Sequence, residues 1–329
     1  MKIAVQLPNR AFLAGDRTLH RWANVFIDSF VDAEVNIDEA KEYKGEAVVC
    51  LNGRPDLIRN CPPAEFRGLK ACHIMDHSFN AKQAAKNMID NNVHLALGYA
   101  QHDVLDPFFR KEYASYAEKI ISVPFGFDYR FVNKVPFSQR KKKCVGLGAV
   151  NLVNEGISDL KDYVACFGKY HKWTHEWRHT LREAHSRGEL GVLMDSLFPA
   201  EDEYKKFDYN IVEVYNDYQM FTTCESVMNY PSVKTYEGMA CGSVFVGNQN
   251  ACYSAIGLVN GKNCILHNPN CVKSFKEAIQ WAKQSPRNLE EIAKNGQEWV
   301  EKNFTPKAIA EKLYRDLCKA HEALNTFTL

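Results

Sequence analysis

The feature that most constrains the fold is a regular alternation of short apolar runs with helical stretches. KIAVQLP, AVVCLN, KACHIMDH, HLALGYA and KIISVPFGFD are strand-like, and helical patterns near residues 16–30 and 80–90 lie among them. Strands that alternate with helices form parallel sheets, because a parallel neighbour is reached only through a crossover, and the crossing helices then cover both faces. The alternation breaks at residues 133–143 into a polar, proline-bearing and basic stretch, VNKVPFSQRKKK, and then resumes. KCVGLGAV, helical patterns near 157–167 and 173–185, YQMFTT, SVFVG and CILH make the second series, and from about residue 274 the periodicity is helical. The expected fold is α/β, with two Rossmann-like doubly wound domains over residues 1–135 and 136–305 and a terminal helix over 306–329.

A chain of 329 residues is long for one compact core, so its length agrees with two domains. Hydrophobic residues at 46% and charged residues at 25% describe a globular protein, and a net charge of +1 supplies no global attraction to nucleic acid or anionic lipid. No run approaches the roughly 20 apolar residues of a membrane span, and the start MKIAVQLPN lacks a leader pattern, so a cytoplasmic location is expected. The eleven cysteines are scattered without a CxxC pair or a Cys/His cluster at ligand spacing. Neither a disulfide framework nor a metal site is expected.

Residues 230–247, YPSVKTYEGMACGSVFVG, carry the densest chemistry. Pro231 and Ser232 start a helix whose free N-terminal amides can meet phosphate. Val233, Tyr236, Met239 and Ala240 recur at core-facing spacing, which leaves Lys234 and Glu237, three apart, together on another face. Gly242 ends the helix where positive φ is tolerated, and SVFVG is a buried strand.

This segment resembles the C-terminal donor-binding signature of GT-B glycosyltransferases, in which a glutamate before a small-residue helix end binds the nucleotide ribose. Glu237 is the match, and GKNCILHNP and NGQEWVEKNFTPKAIAEKLYRDL are similar to the elements that follow in that family. The resemblance implies two Rossmann-like domains facing a cleft, a C-terminal helix crossing back to the first domain, a nucleotide-sugar as co-substrate and no cofactor or metal. Many retaining members carry a second glutamate eight positions earlier, where this chain has Asn229, and Glu225 is out of spacing. The stereochemical outcome is therefore open, and the form is nearer to a divergent branch of bacterial surface-polysaccharide and viral enzymes.

Ligands of open α/β sheets sit beyond the carboxyl ends of strands, so the loops after strands hold the remaining candidates. Asp16 and His20 follow the first strand, and Asp76 and His77 end the MDHSF strand. Each pair can deprotonate an acceptor hydroxyl, and Asp16 and Asp76 are equally suited to closing helix turns. Gly126 in PFGFD suits a hinge. In the second series, Gly148 of GLGAVN admits close approach of a diphosphate, while Arg178 and Arg182 either clamp phosphate or form a basic solvent face. The expected donor-binding set is Gly148, Arg178, Arg182, Ser232, Lys234, Glu237 and Gly242, and the expected activity is transfer of a sugar from a nucleotide donor to a glycan, lipid-linked or DNA acceptor. The basic run 140–143 is either solvated or draws the chain to an anionic membrane surface. The rivals are a viral-type DNA-base glycosyltransferase of the same fold and an epimerase-like or non-catalytic sugar-nucleotide binder.

Overall fold

The computed structural model describes residues 1–6, 21–51, 61–74, 77, 78, 80–150, 174–199 and 209–327. The chain divides into two compact units, residues 1–125 with 306–329 and residues 126–153 with 171–305. In the first unit, β1 (Ile3–Gln6), β2 (Ala33–Val35), β3 (Ala47–Cys50), β4 (Leu69–His73), β5 (Leu95–Gly98) and β6 (Ile120–Ser122) form one sheet. Its order is β2-β1-β3-β4-β5-β6, and every neighbouring pair is parallel. Every residue of β1, β3 and β4 is buried, as expected of strands covered on both faces. The helices of this unit are α1 (Arg21–Phe30), α2 (Ile37–Glu42), α3 (Ala81–Asp90), α4 (His102–Leu105) and α5 (Pro107–Glu112).

The second unit holds β7 (Lys141–Gly146), β8 (Met194–Ser196), β9 (Tyr218–Thr222), β10 (Val244–Asn248) and β11 (Ile265–His267), again all parallel, in the order β11-β10-β9-β7-β8. Its helices are α6 (Glu176–Ser186), α7 (Ile211–Asp217), α8 (Val233–Ala240), α9 (Ala251–Ala255), α10 (Val272–Gln284) and α11 (Pro286–Asn303). Trp177, Leu181 and Ala184 of α6 pack with Met194, Met220, Val246, Phe275 and Ile279 in its core. The final helix, α12 (Pro306–Phe327), belongs to the first unit, where Tyr314 stacks on Phe30 of α1 at 4.6 Å between ring centroids. The α/β fold class holds throughout. Among the described residues no helix is long and apolar enough to cross a membrane.

Two features depart from the sequence pattern. The three-residue strands β2 and β8 have too few positions to show a period and were not anticipated. The basic run 140–143 is not linker throughout, because β7 begins at Lys141 and Arg140 is buried, while Lys141 and Lys142 are exposed. The Arg140 guanidinium donates to the Val135, Tyr215 and Cys241 carbonyls at 2.9–3.3 Å and to Asn133 Oδ1 at 2.6 Å. Asn216 Oδ1 accepts from the Lys134 amide at 2.6 Å, so residues 133–135 are tied into the second unit.

In each unit the strand order reverses once, between β1 and β3 and between β7 and β9. The carboxyl ends of those strands are where the topology opens a crevice in the sheet.

Candidate functional site

At the carboxyl ends of β7 and β9 the second unit assembles a polar group around Arg178. Trp177 and Leu181, anchored in the core, fix the orientation of α6 and turn Arg178 inward, where it is 4% exposed. Its Nε and Nη2 donate to Thr223 Oγ1 at 3.1 and 2.9 Å, and its Nη1 donates to the Ala149 carbonyl at 3.0 Å. Those bonds use three of the five N–H donors of a guanidinium, and the other two have no partner among the described residues. Gly148 lies directly beneath. Its φ is +118°, and a Cβ there would stand 2.6 Å from Arg178 Cζ, so glycine is required both for the backbone and for the space.

Ser232 is the N-cap of α8, but its hydroxyl makes no cap bond. It faces Thr223 Oγ1 at 3.4 Å, which brings the start of α8 to the Arg178 group. Glu237, one turn into α8, is 4% exposed. The Tyr209 phenol is pushed up to about 12 by burial, and the Arg178 and Glu237 charges act on it in opposite senses. Lys234, between them in sequence, is half-buried, and its charge acts on His175. His175 Nδ1 meets the Glu225 carbonyl at 3.2 Å, and burial, then the Arg178 charge, holds that imidazole well below its ordinary range and therefore neutral.

Glu225 is the residue that sequence reasoning passed over. It follows β9 by three positions, and its Oε1 accepts from Asn248 Nδ2 at 3.1 Å and from Asn250 Nδ2 at 3.2 Å. Burial raises its carboxyl above the usual range, opposed by hydrogen bonds from Asn248, Tyr253 and Asn250, and Oε2 is buried. A search by spacing misses such a residue. The available signal was its place just after a buried strand, followed by Asn248 and Asn250 just after the next one.

Not every expected residue joins this group. Arg182, one turn along α6, donates to the Pro199 carbonyl at 3.2 Å and stands 3.5 Å from Glu183. Gly242 lies at the opposite end of α8 from Ser232, with φ +72° and a Cβ position 2.5 Å from Asn133 Nδ2. There it lines a surface cavity of about 440 Å³ with Asn133, Phe137 and Gln297.

In the first unit, Asp16, His20 and Asp76 lie outside the described residues. His77 is fully buried, with Nε2 2.5 Å from Asp106 Oδ2. Gln6 ends β1 beside the reversal of strand order and is fully buried, with both side-chain amide atoms lacking partners among the described residues. An amide in that position is set to meet a ligand or a following loop.

The comparisons with known proteins agree with this layout. Residues 160–315 match the family described as "Glycosyl transferase-like". Over 97% of the chain the structure superposes on the whole of HepE from Anabaena, solved in complex with UDP, at a TM-score of 0.57 and 13% identity. A sucrose-phosphate synthase from Thermosynechococcus elongatus gives 0.54 and 12%, covering 97% of this chain and all of that one. A glycosyltransferase from Rickettsia africae gives 0.55 and 10%, covering 97% and 99%. No curated protein matches the chain in sequence. The fold is GT-B, as in these structures, and residues 160–315 are similar to the glycosyl transferase-like family.

Proposed function

We propose that the chain is a glycosyltransferase and that it draws its sugar from a nucleotide-sugar bound in the second unit, at the carboxyl ends of β7 and β9. The observation that carries the reading is Arg178, a buried cation held by Thr223 and Ala149 at the reversal of strand order, with donors to spare and a glycine beneath it. A buried cation with unspent donors matches a diphosphate, whose charge grows as the sugar departs. Lys234 and the first amides of α8 at Ser232 add positive potential, so cationic side chains and helix amides take the part a metal plays elsewhere. Glu237 accepts from the ribose hydroxyls, and the buried Oε2 of Glu225 accepts from a hydroxyl of the transferred sugar. The complex of HepE with UDP makes a uridine nucleotide the first donor to try.

The first unit supplies the acceptor side, with Asp16, His20 and Asp76 as the groups from which its base is drawn, whereas the expected candidate His77 is fully buried against Asp106 and closed off from an acceptor. Glycan or polysaccharide synthesis is the setting proposed. A thermal-shift series with UDP-, GDP-, CMP- and dTDP-sugars tests the reading, because a ligand selective for the folded state raises Tm. One sugar nucleotide is expected to raise it, Glu237→Ala and Arg178→Ala to abolish the rise, and Asp76→Ala to keep the rise while lowering turnover. Unchanged donor affinity in both the Glu237 and the Arg178 variants would overturn the assignment.

A further inference from the structure

We propose that His77, His102 and Asp106 of the first unit form a binding site for one divalent transition-metal ion of the zinc class. The three side chains arrive from separate places in the fold: His77 follows β4, His102 opens α4 after β5, and Asp106 caps α5. All three are fully buried, and one donor atom from each lies within 4.8 Å of the others. Ligands sharing an ion at bonds of about 2.0–2.2 Å stand roughly 3.3–3.6 Å apart, so closure onto a metal needs His77 Nε2 and Asp106 Oδ2 to open from 2.5 Å while the wider separations shorten. Two imidazoles and a carboxylate are a three-ligand set suited to zinc, and the carboxylate offsets half of the ion's charge in a site closed to water.

The surroundings hold each donor in place. Asp106 Oδ1 accepts from the Phe108 amide at 2.9 Å, which leaves Oδ2 turned to His77. The Tyr113 hydroxyl donates to the His77 carbonyl at 3.0 Å and fixes the backbone that carries the ring. Phe109 packs against both imidazoles, at 5.7 and 5.8 Å between centroids. Gly98 gives His102 its room, since a Cβ there would stand 2.5 Å from His102 Cδ2. Such fixed outer contacts are what pre-orient metal ligands.

The three side chains form one cluster, because the His102 ring stands 4.3 Å from the His77 ring in the same buried spot, and His77 Nδ1 has no hydrogen-bond partner among the described residues. The site lies in the unit that does not hold the proposed donor group, so it stands or falls apart from that reading.

The test is uptake of Zn²⁺ by the full chain after chelator treatment, followed by competition titration, with Co²⁺ as a spectroscopic substitute. One ion per chain is expected, with the visible d–d bands of a low-coordinate Co²⁺ complex and no competition from Mg²⁺. Asp106→Asn keeps an acceptor for the Phe108 amide but removes the anionic ligand, and His102→Phe keeps a ring of similar size without nitrogens. Each is expected to weaken Zn²⁺ binding by more than about 100-fold. Chelation is expected to lower the Tm of the natural protein and to leave both variants unmoved. Failure of the metal-free protein to take up Zn²⁺, or uptake that both variants leave unchanged, overturns the proposal. Should His102→Phe fail to fold, the Asp106→Asn titration alone decides.

Discussion

The two units are built alike and equipped differently. Both are parallel sheets with one reversal of strand order, and in both a glycine makes room for a buried polar side chain near the strand ends. In the second unit Gly148 lies beneath Arg178, while in the first Gly98 lies beneath His102. The second unit presents a cation, Arg178, with donors left over among the described residues, and a buried carboxylate, Glu225. The first presents imidazoles closed off by Asp106 within aromatic walls. One arrangement is unfinished without a ligand carrying oxygens, and the other is compact enough to close around a single ion. A shared architecture therefore leaves the chemistry of a unit to the few side chains beyond its strands.

The largest effect separating the two is expected at Arg178. Arg178→Ala removes a buried cation and strips Thr223 Oγ1 and the Ala149 carbonyl of donors, so donor affinity should fall by more than about 100-fold, the order expected on breaking a buried, charge-assisted bond. Calorimetric titration with the preferred sugar nucleotide checks it. Acidification should come next. Burial holds His267 of the second unit near 4 while an unfolded histidine titrates near 6.5, so between those values the unfolded chain binds the proton that the folded chain refuses. Stability should therefore drop as pH falls from about 7 to 4, by about 3 kcal/mol from this residue, and His267→Leu should flatten that part of a urea-midpoint profile.

The two glycines should separate binding from stability. Gly148→Ala imposes a side chain at φ +118° and crowds Arg178, at a cost of about 1–3 kcal/mol, and it should weaken donor binding as well. Gly98→Ala crowds His102 at a similar cost but should leave donor affinity unchanged. Equal loss of donor affinity in both would erase the distinction between the units. The smallest effect should come from Lys143→Met. Its 2.9 Å pair with Asp195 is partly exposed, so the change in unfolding free energy should stay below about 1 kcal/mol.

Much of this was legible before any coordinates. The central strands are runs of consecutive apolar residues, and the helix bearing Lys234 and Glu237 has its start, its apolar face and its glycine stop within a dozen positions, so local pattern sufficed. Residues joined over long distances left no such trace. His77 and Asp106 are 29 positions apart, and Arg178 and Thr223 are 45 apart, so nothing in spacing links either pair. The pair Arg178 and Arg182 shows the opposite failure. Their helical spacing places them near each other, yet Arg178 bonds Thr223 and Ala149 while Arg182 bonds Pro199, partners on separate loops that spacing along α6 does not reveal. Arg140 was hidden for a third reason. A buried arginine and three lysines at the head of a strand read identically as a run of charge, and only the carbonyls of Val135, Tyr215 and Cys241 reveal which of the four is inside.

The return of α12 to the first unit has a consequence for how the chain is made. Its Tyr314 covers Phe30 and accepts from the terminal amine of Met1 at 3.4 Å, and Lys312 reaches the Ser122 carbonyl. On the ribosome, the half translated first cannot finish its surface until residues 306–327 have emerged, whereas the half ending at 305 already has every strand it needs. Synthesis order and completion order are thereby reversed, and the early half must wait with α1 uncovered while its neighbour closes.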